Sequence, residues 1–231
     1  MRNWKNANKQ KHTIMKKLLI LAALAGLLGA QQCLALTVAV TRNAGLWNDS
    51  GGEFTITDPP EPSFDQIFNA YAPVATFNGG FQTFCISTAI SVLSNPQDAT
   101  LDPAGVSLGA AYLYRQFATG QLADYDYSTT DGGRPASALA LQNAIWELQG
   151  FTPHDPEAGA DYVALVVGMF GDGAYADSGG QYGVERLLLT SNGADSQPML
   201  ALEPVPDAGG TLMLLGVALS SLGAFSRRFR S

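Results

Sequence analysis

Hydrophobic and polar positions fall into three regimes along the chain: a uniformly apolar run near each end and, between them, segments that alternate with short periods. Residues 37–42 (TVAVTR) and 53–57 carry the two-residue alternation and β-branched content of strands, with Asp49-Ser50-Gly51-Gly52 as the turn between them. The prolines of 58–62 (DPPEP) exclude regular structure there. Residues 81–93 (FQTFCISTAISVL) predict a β-rich stretch, with Phe84, Ile86 and Ile90 on one face and Thr83, Cys85, Ser87 and Ala89 on the other. Residues 95–105 read as loop. Three helical patterns follow, at 106–118, 135–149 and 158–170; Pro135 suits a first helical position and Gly150 the residue just past an end. A Gly, Asp and Tyr-containing loop at 120–133 separates the first two. A Gly-rich stretch, 171–183, leads to a hairpin of 184–190 and 199–202 around Asn192-Gly193. The pattern therefore predicts an α+β domain, largely antiparallel, with strands at both ends and three central helices. It contains no internal repeat.

The apolar ends read as addresses. In 15–35 a positive start at Lys16 and Lys17 precedes an apolar run and then small residues, the layout of a secretory signal peptide. Cleavage is expected after Ala35, or alternatively after Ala30. Residues 1–14 are polar and basic and read as upstream sequence. Cys33 falls within the discarded leader; acylation would want small residues before it, where Gln31 and Gln32 stand. At the other end, 204–231, an apolar stretch from Thr211 to Phe225 is closed by Arg227, Arg228 and Arg230, a basic stop on the cytoplasmic side of a short membrane helix. Its fifteen residues fall short of the roughly 17 to 25 of an ordinary span, which suits a transient anchor. The order Val205-Pro206-Asp207-Ala208-Gly209, apolar helix, Arg cluster resembles the VPDSG-CTERM sorting signal, a relative of the PEP-CTERM signals. Ala208 stands where that family has Ser. The resemblance implies an exosortase-like sorting enzyme as partner, transient contact with the inner membrane, and delivery to the cell envelope, outer surface or extracellular matrix of a Gram-negative-type bacterium.

Setting the ends aside changes the charge. The whole chain has 13 basic and 20 acidic residues, a net charge of −7. Between Ala35 and the closing arginines only Arg42, Arg115, Arg134 and Arg186 are basic, against all 20 acids, which gives −16 with no lysine at all. Such a surface repels polyanions, so nucleic acid is not an expected partner. Absence of lysine also excludes a Lys-Asn isopeptide staple. With 46% hydrophobic residues over the whole chain, there is material for a folded core in 36–203.

One cysteine, Cys85, is left after leader removal, in an oxidising compartment where a lone thiol wants a reason. The bland reading is a small buried hydrophobe. The second helix holds a matching oddity, because its apolar stripe runs Ala138, Leu139, Gln142, Ile145, Trp146, with a carboxamide in the middle. Burying that group without partners costs about 1–3 kcal/mol, so a specific partner is expected, either neighbouring backbone or a covalent bond. Phe84-Cys85-Ile86, followed 57 positions after Cys85 by a Gln142 set in Leu141-Gln142-Asn143-Ala144-Ile145-Trp146, resembles the thioester domains of bacterial surface adhesins with a Thr-Gln-x-Ala motif. Leu141 stands in place of the Thr. The resemblance implies an internal thioester between Cys85 and Gln142, with Phe84, Ala144 and Trp146 as packing positions, and covalent attachment to an amine-bearing surface or matrix molecule. It implies no cofactor, no metal and no turnover enzyme. A non-reactive exported matrix protein, with Cys85 in the core and Gln142 hydrogen-bonded, is the alternative.

Other sites are weaker. His154, in a proline-bracketed loop, could serve a cysteine hydrolase with Cys85 but reads more simply as a solvated histidine. The acidic run from Asp124 to Gly132 has alternating oxygens, yet an EF-hand wants Gly at its sixth position and Glu at its twelfth, where Thr129 and Pro135 stand. Calcium there is an alternative to an acidic surface turn.

Overall fold

Residues 36–48, 51–57, 62–129 and 132–204 are described in the computed structural model. The expected signal peptide, sorting motif, membrane helix and closing arginines lie outside them. The elements are β1 (Leu36–Asn48), β2 (Gly51–Thr57), α1 (Pro62–Phe68), β3 (Thr76–Phe77), β4 (Gly80–Thr83), β5 (Gln97–Asp102), α2 (Leu108–Ala118), α3 (Arg134–Leu148), α4 (Pro156–Phe170), β6 (Val184–Ser191) and β7 (Ala194–Leu202). The fold is α+β, with one seven-stranded antiparallel sheet in the order β3-β4-β2-β1-β5-β6-β7. Among the described residues no helix is long and apolar enough to cross a membrane.

Local signals place the three long helices where the pattern predicts them. Ser107 caps α2 by accepting the Ala110 N–H, and Asp155 caps α4 by accepting that of Ala158. At the end of α3, Gly150 takes a left-handed φ of +79°, its N–H donates to Glu147 O and that of Phe151 to Trp146 O. This pair of reversed bonds satisfies the last carbonyls and needs glycine. Asn192 and Gly193, both at positive φ, turn the β6–β7 hairpin.

Three local expectations are corrected. Residues 97–102, expected as loop, form β5, which pairs with β1 on one side and β6 on the other. Its polar, proline-flanked sequence carries little intrinsic strand signal, so pairing on both sides decides. The 81–93 stretch is strand only as far as Thr83, and its two faces do not alternate, since Phe81 to Ser87 are all buried while Ala89 and Ile90 are exposed. Pro62, expected outside regular structure, opens α1, where its missing N–H costs nothing.

Beyond β4 the chain closes the sheet on itself. Ile86 N–H donates to Pro198 O (3.0 Å) and Leu200 N–H to Phe84 O (3.1 Å), so Cys85 bridges Met199 of β7 just after Thr83 has paired with Phe54 of β2. The segment 84–86 thus joins the two halves of the sheet into a ring. Helix α3 packs against this ring at β1 and β2, and against α2 and α4 on its other sides. Consequently it is buried nearly all round from Leu141 to Trp146, and Leu139, expected on the buried stripe, is only half-buried. Its first turn is fixed by Arg134, whose Nε and Nη2 donate to Glu53 of β2 at 2.8 and 3.0 Å and whose Nη1 donates to Tyr127 O at 2.8 Å. Tyr125 adds a hydroxyl to the same carboxylate.

A second polar cluster sits between β5 and the turn before β6. Arg186 bonds Asp102, and Asp177 accepts the N–H groups of Gly105 and Gly179 at 2.9 and 2.8 Å. The Arg186 bond holds the Asp102 carboxyl below its usual range, and those two backbone N–H groups do the same for Asp177. Depressed carboxyls contribute stability that is present above the unfolded carboxyl range and lost as pH falls through the folded values. Asp177 is exposed and Asp102 half-buried at the surface, so solvent screens both and the effect is small. Acid titration of urea stability is expected to show a loss below about pH 4 that is shallower in Asp102→Asn/Asp177→Asn. An unchanged slope would refute this source.

Candidate functional site

Cys85 and Gln142 are brought together. Because Cys85 is the non-hydrogen-bonded partner of Met199, its own N–H and C=O face away from β7. Gln142 of α3 occupies that side: its Oε1 accepts the Cys85 N–H at 2.9 Å and its Nε2 donates to Cys85 O at 2.8 Å. The carboxamide acts as a one-residue strand, and the expected partner of the buried glutamine is the backbone of the cysteine itself. Both side chains are buried, at 0% exposure for Gln142 and 2% for Cys85.

The surrounding residues fix this arrangement. Phe84, fully buried, meets the ring of Phe117 edge-on at 5.0 Å and that of Tyr114 at 6.5 Å, which anchors the cysteine segment to α2. Gly51 of β2 lies against Gln142, where an added Cβ would fall 2.6 Å from Cγ. Ala144 is fully buried, and α4 crosses it closely at Gly159, where a Cβ would stand 2.6 Å from the Ala144 nitrogen. Trp146, one turn beyond Gln142, reaches Gly51 with Cη2. Its Nε1 is buried without a hydrogen-bond partner among the described residues. Of the three packing residues expected from sequence, Phe84 directly precedes Cys85, and Ala144 and Trp146 lie on α3 with Gln142.

A pocket of about 130 Å³ opens over the site, lined by Cys85, Trp146 and His154 together with Arg42, Trp47 and Gln197 among others. His154 meets Trp146 edge-on, ring centroids 5.0 Å apart at 71°. Arg42 lies 4.2 Å over the Trp47 ring. Burial pushes the Cys85 thiol up, opposed to a lesser degree by the Arg42 charge. Sequence reasoning missed Arg42 and Trp47, and it weighed His154 beside Cys85 only as the lesser alternative to a solvated loop histidine. The short α3–α4 connection was the available signal for the nearness of His154, since it must return the chain beside the end of α3.

The larger cleft, about 230 Å³ between Gly105–Ser107 and Leu148–Gly150, is chemically quiet. Gln149 there bridges Ser107 N–H and Gly105 O, and Asp177 is committed to backbone. In the acidic loop, Asp126 accepts the Ser128 N–H at 2.8 Å as a turn residue. Among the described residues no three His, Cys, Asp or Glu side chains group as metal ligands. Compared with protein-family models, curated proteins and solved structures, the chain matches none.

Proposed function

We propose that the chain is an exported cell-envelope or surface protein in which Cys85 and Gln142 form an internal thioester for covalent attachment to an amine-bearing partner or matrix. One observation carries the reading: the carboxamide of a fully buried glutamine is docked by both its ends on the residue that bears the only cysteine outside the leader. Strand side chains stand off the plane of the backbone hydrogen bonds. A carboxamide bonded to that backbone lies in the plane, so Sγ would approach its carbon from above, the direction in which a nucleophile adds.

In the first step Sγ bonds to the Gln142 carbonyl carbon, the C–N bond breaks, and the thiol proton leaves with nitrogen as ammonia. Near-attack positioning of this kind is worth up to about 7–11 kcal/mol in favourable intramolecular cases. In the second step an amine attacks the same carbon, the C–S bond breaks, an amide joins Gln142 to the partner, and the thiol is restored. The cycle runs once, so the protein is not a turnover enzyme. Export by the N-terminal leader and sorting through the VPDAG tail by an exosortase-like enzyme, with transient passage through the inner membrane, belong to the same proposal and rest on the sequence motifs.

Intact mass tests it. The exported protein is expected to be lighter by about 17 Da than its sequence requires, and Cys85→Ala or Gln142→Ala to restore the full mass. A full-mass protein with a titratable Cys85 thiol would leave the second reading, a non-reactive exported structural protein. What favours that reading is that Cys85's backbone already pairs both ends of the carboxamide.

A further inference from the structure

The pocket over Cys85 contains a group that can move protons. His154 lies two residues before α4, and its neighbour Asp155 is held twice, by its N–H on Asn143 Oδ1 at 2.8 Å and by its carboxylate on the Ala158 N–H at 3.3 Å. Asn143 directly follows Gln142, so the histidine's loop is tied to the residue beside the acyl donor. The imidazole is exposed and also lines the pocket with Cys85, which lets it meet an incoming molecule and the buried pair from one position. Among the described residues, the other charged or titratable side chains lining that pocket are Arg42 of β1, seated on Trp47, and Cys85 itself. None of these is a carboxylate, and Asp155 is turned to its helix cap.

Resting on the thioester reading, we propose that His154 is the general base for the nucleophile that opens the thioester, and the acid that returns the proton to sulfur. The nitrogen of an uncharged primary amine bonds to the Gln142 carbonyl carbon while His154 takes one N–H proton. As the C–S bond breaks, the imidazolium gives that proton to Sγ. The products are the amide, a neutral thiol and a neutral imidazole, and no charge is left in the buried site. A thiol that burial disfavours as an anion needs such a donor in order to leave.

The test compares the exported protein with its His154→Gln variant, mixed with trifluoroethylamine, an amine mostly uncharged across about pH 6 to 8. Its free form changes by less than about twofold over that range, so any steeper rise reports the protein. The wild-type coupling rate, followed by mass, is expected to rise with pH, since a general base acts only in its unprotonated form. The variant is expected to couple about 10²-fold more slowly, with a nearly flat profile, while keeping the same loss of about 17 Da. Equal rates, or a variant that retains the rise, would overturn the role of His154 and leave the thioester standing. Absence of the mass loss in both proteins overturns the thioester and this role with it.

Discussion

Glu53→Gln and Arg134→Gln are each expected to lower folding stability by about 3–5 kcal/mol, read from urea unfolding. The two side chains are 0% and 2% exposed and form a two-pronged pair, with Tyr125 and Tyr127 O completing the hydrogen bonds. Burial works against the Arg134 charge, but the Glu53 bond outweighs it and holds the guanidinium's pKa above its usual value. Removing one partner strands the other charge away from water, where its desolvation is no longer offset. Replacing both partners by Met removes the stranded charge, so the double variant is expected to be more stable than either single one. Single variants within about 1 kcal/mol of wild type would refute the argument. The pair also matters for the site, because it fixes the first turn of α3 to β2, and Gln142 lies two turns farther along the same helix.

That pair was not legible in the sequence, and the reason is physical. Glu53 and Arg134 are 81 positions apart, each surrounded by residues that give no sign of burial. By contrast α2, α3, α4 and the β6–β7 hairpin are encoded by neighbours: Ser107 and Asp155 as caps, Gly150 past an end, Asn192-Gly193 in a turn. β5 escaped because its strand character comes from β1 and β6 rather than from its own residues. Ring closure at 84–86 escaped for the same reason, as it depends on β7. The site falls between these cases. Cys85 and Gln142 each stood out alone, one as a leftover thiol and one as a polar break in an apolar stripe, whereas their pairing was suggested only by a family resemblance. The docking of carboxamide on cysteine backbone requires both the closed ring and the packed α3, and neither is a local property. Arg42 and Trp47 reach the pocket from β1, and His154 from the α3–α4 connection.

Gly51→Ala is expected to damage the site strongly. Gly51 holds φ at +121°, a region that L side chains rarely adopt, at a strain of about 1–3 kcal/mol. The new Cβ would also stand 2.6 Å from Gln142 Cγ, 3.1 Å from its Cβ and 3.2 Å from Trp146 Cη2. A free glutamine would swing aside, but this one is held at both ends by Cys85. Either β2 shifts or the carboxamide leaves its two partners, at about 1–3 kcal/mol for each buried group left unpaired. On the thioester reading, a displacement near 1 Å is enough to slow bond formation about 10²-fold, so the 17 Da loss should become incomplete while the protein remains folded. A double-mutant cycle separates the causes. If the clash with Gln142 dominates, Gly51→Ala costs markedly less in a Gln142→Ala background; if only backbone strain is at work, the two changes add within about 0.5 kcal/mol, and the contact with Gln142 is not what requires glycine.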